Sequence, residues 1–266
     1  MTTRLKPTLS GIGLITGLPV TVELSPSPAG SGIVFEIDGV FIPADPAYAV
    51  NTDRGVTLGK NGKILSIVEH FLSACAMTHH TDLLLSVKGA PELPLLDGSA
   101  LGWVEFLNPL PTSRSPMKLT QPVVYQDGEI KLSATPSDCL EITYAVDFDH
   151  PDLKQAHWTW QASEGELLDA ICPARTFGFV SELPKLQASG LAKGVSLENT
   201  LGLYENGQYT TPLRMPNEPI RHKVLDFIGD MMLCGICVPD IRAKFEIRHG
   251  GHTSHLAFGQ RLGAGL

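Results

Sequence analysis

The segment N-E-P-I-R-H-K-V-L-D-F-I-G-D-M-M-L-C-G, residues 217–235, constrains this chain more than any other. It reads as one long helix, with Asn217 at the N-cap, Pro219 in the first turn and Gly235 at the exit. His222, Asp226 and Asp230 then recur at i, i+4 and i+8 and stack on one face. Val224, Leu225, Phe227, Ile228, Met231 and Met232 cover much of the remaining circumference. A helix apolar over so much of its surface is expected to be buried on several sides, with its polar stripe facing a cleft. From the helix alone, a solvated His–Asp pair on an exposed face is an equal alternative.

Two shorter pieces carry related chemistry. S-I-V-E-H-F-L-S-A-C-A-M, residues 66–77, has helical spacing, with Ile67, Phe71 and Ala74 on one side. Neighbouring residues on a helix point roughly 100° apart, so a metal at the shared edge of Glu69 and His70 can take His70 as ligand while Glu69 addresses a water. An E-H pair by itself is more often a surface feature. His252 follows Gly250 and Gly251 after a strand-like run; two glycines permit a tight turn and a close approach to a ligand. The plainer reading is a histidine capping a strand end, in a tail that also holds His249 and His255. Two histidines and one aspartate drawn from these pieces would make the three-ligand open zinc site of a hydrolase, with one more carboxylate and one more histidine left for proton work.

Composition limits the alternatives. The 266 residues carry a net charge of −8, which argues against a nucleic-acid groove. No apolar run approaches the ~20 residues of a membrane helix. The stretch Leu9 to Val20 follows Arg4 and Lys6, but Gly11, Gly13, Gly17 and Pro19 interrupt it, so it is not read as a secretory leader. Five cysteines form no disulfide framework, and a reducing cytoplasm is the expected compartment. Cys234 and Cys237, at the end of the long helical pattern, are read as core packing.

Strand-like segments are expected around 20–24, 33–37, 81–89, 118–125, 129–135, 139–147 and 242–250, with short helices at 99–107 and 164–171. N-P-L-P-T-S-R-S-P, residues 108–116, is the best linker. The expected division is therefore an N-terminal α+β unit, 1–112, carrying the Glu-His pair, and a C-terminal α+β unit, 113–266, carrying the H-x-x-x-D-x-x-x-D helix and the G-G-H loop. No internal repeat is visible.

Six segments, in this order, resemble the UDP-3-O-acyl-N-acetylglucosamine deacetylases, zinc amidases of lipid A biosynthesis: G-I-G-L-I-T-G, S-I-V-E-H-F-L-S-A, P-E-L-P-L-L-D-G-S-A, A-R-T-F-G-F, I-R-H-K-V-L-D-F-I-G-D and G-G-H. The resemblance runs from about Thr8 to the C-terminus. It implies two similar α+β domains, each a sheet with helices on one face, and an active site between them. It implies Zn2+ on His70, His222 and Asp226, with Glu69 as general base. It further implies His252 as acid or electrostatic partner supported by Asp230, and Thr176 at the oxyanion. Lys223, Phe177 and Phe179 would meet substrate, a UDP-linked amino sugar bearing an acyl chain. The acyl chain is expected along L-Q-A-S-G-L-A-K-G-V-S-L-E-N-T-L-G-L, residues 186–203, with Gly194 in its wall. A cytoplasmic monomer is expected, without a membrane span and with at most transient contact with a membrane surface. One departure stands out: the family's first motif usually reads G-x-G-L-H-T-G, and Ile15 replaces its histidine. Two rival readings are a deacetylase of another acylated amino sugar and a non-catalytic binding paralogue.

Overall fold

The structure is a computed structural model describing residues 7–266 except 109, 111, 113 and 115. The chain begins with two antiparallel pairs, β1 (Thr8–Ile12) with β2 (Pro19–Pro26) and β3 (Ile33–Ile37) with β4 (Val40–Pro43). A small sheet of β5 (Ala49–Asn51), β6 (Thr57–Lys60) and β7 (Lys63–Ser66) follows. Then come helix α1 (Glu69–Met77), strand β8 (Leu83–Gly89) and helix α2 (Leu101–Leu107). β8 inserts between the two pairs, parallel to β3 and antiparallel to β2, giving the order β1-β2-β8-β3-β4.

The second part winds the same way. β9 (Val123–Asp127) pairs with β10 (Ile130–Pro136), and β11 (Glu141–Val146) with β12 (Ala156–Gln161). An irregular stretch holds α3 (Leu167–Ile171), β13 (Phe177–Phe179), α4 (Leu183–Ala188) and β14 (Leu201–Leu203). Then come α5 (Glu218–Leu233), β15 (Ala243–Arg248) and α6 (His252–Gly263). β15 runs parallel to β11 and antiparallel to β10, so this sheet reads β9-β10-β15-β11-β12. Strand order, strand direction and the placing of a helix on each side of the central strand all repeat. The fold is α+β, and it is a duplicated unit whose repetition the sequence does not display. The division expected at residue 112 falls between α2 and β9, beside the four residues outside the description.

Inward alternation builds each sheet. Val20, Val22 and Leu24 of β2 are buried as their spacing predicts, and Leu24 lies opposite Leu85, which lies opposite Phe35. In the second sheet Phe245 stands between Ala134 and Ile142. Aromatic edges join sheets to helices: Phe35 meets Phe71 of α1 at 5.9 Å, and Phe245 meets Phe227 of α5 at 5.7 Å. α1 is buried along its whole length, and α5 everywhere except Arg221 and Lys223. The two helices thus lie inside the molecule, which decides between the cleft and solvent readings of the His/Asp/Asp stripe.

They also cross closely. A Cβ added to Gly229 would lie 2.2 Å from the carbonyl oxygen of Glu69. Only a residue without a side chain lets the backbones approach so far. This contact sets the Glu69–His70 end of α1 against the Asp226–Asp230 stretch of α5.

Local details differ from expectation. α1 begins at Glu69 rather than Ser66, because Ile67 takes a left-handed φ of 60° and donates its N–H to Val56 O. Asn217 precedes α5 with φ of 58° and makes no side-chain cap. Gly235 does leave α5 in a left-handed turn, φ 75°. His252 opens a twelve-residue helix instead of capping a turn. Among the described residues no helix is long and apolar enough to cross a membrane.

Gly229→Ala is expected to push α1 and α5 apart, costing about 1–3 kcal/mol as overpacking typically does. Chemical denaturation should show that loss together with weaker metal retention.

Candidate active site

Both ends of the crossing contribute to one cluster. His70 is the second residue of α1, and His222 and Asp226 share a face of α5. One ligand atom from each lies within 4.8 Å of the others, and all three side chains are buried. The His70 and His222 rings meet edge to face, 5.0 Å between centroids. His222 Nδ1 is 3.0 Å from the Ala174 carbonyl, which can only accept, so Nδ1 carries the proton. His222 Nε2 then presents a lone pair to Asp226 Oδ1, 3.4 Å away, with His70 Nε2 4.0 Å from the same oxygen.

Electrostatics hold these groups in their metal-binding forms. Burial, helped by His222, lowers the pKa of His70 to about 3. Burial also lowers that of His222. Burial opposes ionisation of Asp226, yet Lys223, His222 and His252 outweigh it and hold its carboxyl far below the usual range. Two neutral imidazoles and a carboxylate whose acceptor atoms face one another call for a cation between them. The residues therefore fit Zn2+ in a three-ligand site. His70 Nδ1 is buried and has no hydrogen-bond partner among the described residues.

Glu69, one residue before His70, points at the same space. Val56 N–H donates to its Oε2 at 3.1 Å, and a Cβ on Gly55 would sit 2.9 Å from its Oε1. Burial pushes Glu69 up to about 7 against the pull of His252, near the range of a working general base. His252 Nδ1 lies 2.8 Å from Asp230 Oδ2. Burial works against its charged form, but Asp230, with Asp226 and Glu69, raises it to about 9.

These groups wall a cleft of about 590 Å³, bordered by Glu69, His222, Asp226 and His252. Beside it lies a cavity of about 490 Å³ lined by Ile67, Leu183, Leu186, Leu191, Val195 and Leu197. Leu14, Thr176, Phe177 and Phe179 border both. Phe177 stacks edge-on to His222 at 6.1 Å and to Phe148 at 5.7 Å.

The placement of two residues departs from expectation. Gly194 does not line the apolar cavity. Its N–H donates to Leu14 O, and an added Cβ would fall 2.0 Å from Gly13 O, so it is a glycine because two loops touch there. Lys223 borders the cleft, but its Nζ is engaged 2.7 Å from Asp226 Oδ2, where it orients that carboxylate. Ile15 borders the apolar cavity, and its N–H, like that of Thr16, donates to the buried Glu92 carboxylate.

Several contributors escaped the sequence reading. Arg54 pairs with Glu182 at 3.0 Å where cleft and cavity join, and Thr52 meets Thr253 at 2.6 Å across the other side. His255, fully buried, adds a second donor to Asp230. Only the spacing from His252 to His255, one turn of a helix, carried any signal for it. Cys234 and Cys237 are free thiols, and burial pushes both up to about 12, which leaves them unreactive.

A sequence model of the UDP-3-O-acyl N-acetylglycosamine deacetylase family matches residues 1–264. The chain belongs to this family. Among its relatives, the UDP-3-O-acyl-N-acetylglucosamine deacetylase of Synechocystis sp. is 35% identical, over 96% of this chain and 95% of the relative. That of Thermodesulfovibrio yellowstonii is 36% identical over 96% and 88%. That of Geotalea uraniireducens is 38% identical over 88% and 80%. Family membership accords with the α+β fold.

If His70, His222 and Asp226 hold a metal, removing one of them, as in His70→Ala or His222→Ala, is expected to abolish stoichiometric metal, read by elemental analysis after gel filtration. Full occupancy in either variant would refute the ligand set. Glu69→Gln should keep its metal and lose about 10²–10⁴-fold in kcat, because the amide cannot take a proton.

Proposed function

We propose that this protein is a zinc-dependent amidase that removes the acetyl group from UDP-3-O-acyl-N-acetylglucosamine, the activity in its relatives' names and, by resemblance, a step of lipid A biosynthesis. The observation that carries the proposal is the junction of the two cavities. A cleft equipped for proton transfer shares Leu14, Thr176, Phe177 and Phe179 with an apolar cavity. A substrate with a polar reacting amide and a hydrocarbon chain fits that pairing. Each buried CH2 would contribute about 0.8 kcal/mol.

Zn2+ on His70, His222 and Asp226 would supply a Lewis acid for the acetamide carbonyl. Glu69, held toward the cleft by Val56 N–H, accepts the proton of the attacking water as oxygen bonds to the carbonyl carbon. Thr176, at the rim shared by both cavities, offers its hydroxyl to the oxygen that gains charge. When the C–N bond breaks, His252 gives its Nε2 proton to the amine, leaving acetate and a free amino sugar. Asp230 occupies Nδ1 of that ring, which fixes Nε2 as the atom facing the cleft. Lys223 keeps Asp226 ionised, and Phe177 and Phe179 wall the substrate.

Turnover of UDP-linked substrates differing only in acyl length tests the reading. Cleavage that is indifferent to the acyl chain would favour another amino-sugar substrate, and no cleavage at full metal would favour a binding role. Val195→Phe, in the cavity wall, should raise KM for long chains more than for short ones. The rate should also be bell-shaped in pH, rising as Glu69 deprotonates and falling as His252 loses its proton. Asp230→Asn removes the charge that raises His252, so the alkaline limb should move to lower pH with metal retained. An unmoved limb would assign it to another group.

A further inference from the structure

Asp230 serves two histidines. His252 Nδ1 lies 2.8 Å and His255 Nδ1 2.7 Å from the same oxygen, Oδ2. A carboxylate only accepts, so both rings carry their proton on Nδ1. Oδ1 is buried and meets no donor among the described residues, which leaves the two histidines to set how the carboxylate is turned. On the far side of His255, Nε2 lies 3.0 Å from the Tyr144 oxygen, which is also 2.7 Å from Gly250 O, so the one phenolic proton can serve either acceptor. Gly250 stands two residues before His252. An added Cβ there would fall 2.6 Å from Ile247 Cγ2, 2.8 Å from His255 Nε2 and 2.9 Å from the Tyr144 oxygen, so the turn packs against all three side chains. Tyr144 and His255 are both buried, and His255 packs edge-on to Phe227 at 5.4 Å, which leaves its ring no room to swing.

We propose that His255 is a positioning residue for His252, acting through the shared oxygen of Asp230 and, with Tyr144, through the Gly250 turn. The His255 ring locks the carboxylate from behind, and the locked carboxylate holds His252 with Nε2 toward the cleft. Burial lowers the pKa of His255 against the pull of Asp230, so the ring is a neutral donor to the shared oxygen. This inference rests on the proposed role of His252 as proton donor.

Geometry supplies the discriminating pair of variants in the full-length, metal-loaded protein. The amide nitrogen of an asparagine falls near the place of a histidine Nδ1, and that of a glutamine near Nε2. His255→Gln should therefore lose the bond to Asp230 and drop kcat about 10- to 100-fold, as loss of a supporting hydrogen bond behind an active-site group does. KM and metal content should stay unchanged. His255→Asn should restore kcat to within a few-fold. Proton NMR reads the same contact without turnover. The downfield Nδ1–H signal of His252 should shift in His255→Gln and stay in place in His255→Asn. Tyr144→Phe, which keeps the ring and removes the hydroxyl, should shift that signal in the same direction and provides the readout if His255→Gln does not fold. Wild-type kcat in the Gln variant, equal loss in the Gln and Asn variants, or an unmoved His252 signal in Gln or Phe variants would each overturn the proposal. Absence of deacetylation by the wild type would overturn the proposed function instead, while the NMR signals would still decide whether His255 sets the ring.

Discussion

The close crossing of α1 and α5 is the constraint on which the remainder depends. Glycine at 229 lets α5 pass against the Glu69 carbonyl, and that approach brings a residue pair at the start of one helix beside a stripe on another. Everything polar in the centre follows from it. His70 can meet His222 and Asp226 only at this separation, and Glu69 reaches the cleft because its helix starts there. Both helices are buried, and several of their polar side chains find partners inside: Lys223 for Asp226, Ala174 for His222, His252 and His255 for Asp230.

The central charges are balanced in a way that suits acid–base work. Burial raises Glu69 and lowers the two histidines nearest the ligand position, so the same loss of water favours a proton on the carboxyl and none on the imidazoles. His252 escapes this only because Asp230 stands behind it. Two groups of opposite type, one held near its unprotonated threshold and one held protonated, thus flank a single space. Phe177 and Phe179 border both that space and the apolar cavity.

Much of this was legible in the sequence, for reasons that can be named. The α5 stripe could be read because a period of four residues places side chains on one helix face whatever surrounds them. The inward strands could be read because alternation survives any sheet order. Glu69–His70 could be singled out only through resemblance, since an acidic–basic pair at a helix start is common. Gly194 was misplaced because glycine in a loop rich in Ala and Leu looks like room for a chain, whereas its need is set by Gly13, far away in sequence. His255 went unnoticed among neighbouring histidines. The duplication was hidden for a similar reason. The central strands Leu83–Gly89 and Ala243–Arg248 bury alternate residues in the same way, yet Leu83, Leu85 and Val87 answer to Ala243, Phe245 and Ile247. Pairing order lives in backbone hydrogen bonds, which side-chain identity records poorly.

That repeated winding has a consequence for the centre itself. Each unit offers its buried helix to the other, as two subunits of a symmetric pair would, but here both are on one chain. The partner's effective concentration is then fixed by a short connection, of millimolar order for flexible tethers, and does not fall on dilution. A catalytic seam between separate subunits would come apart at low abundance; this one persists in a single molecule. On one chain the halves need not be identical. One helix carries a glutamate and a histidine while the other carries a histidine and two aspartates, an asymmetry that an exact twofold assembly would have to carry twice.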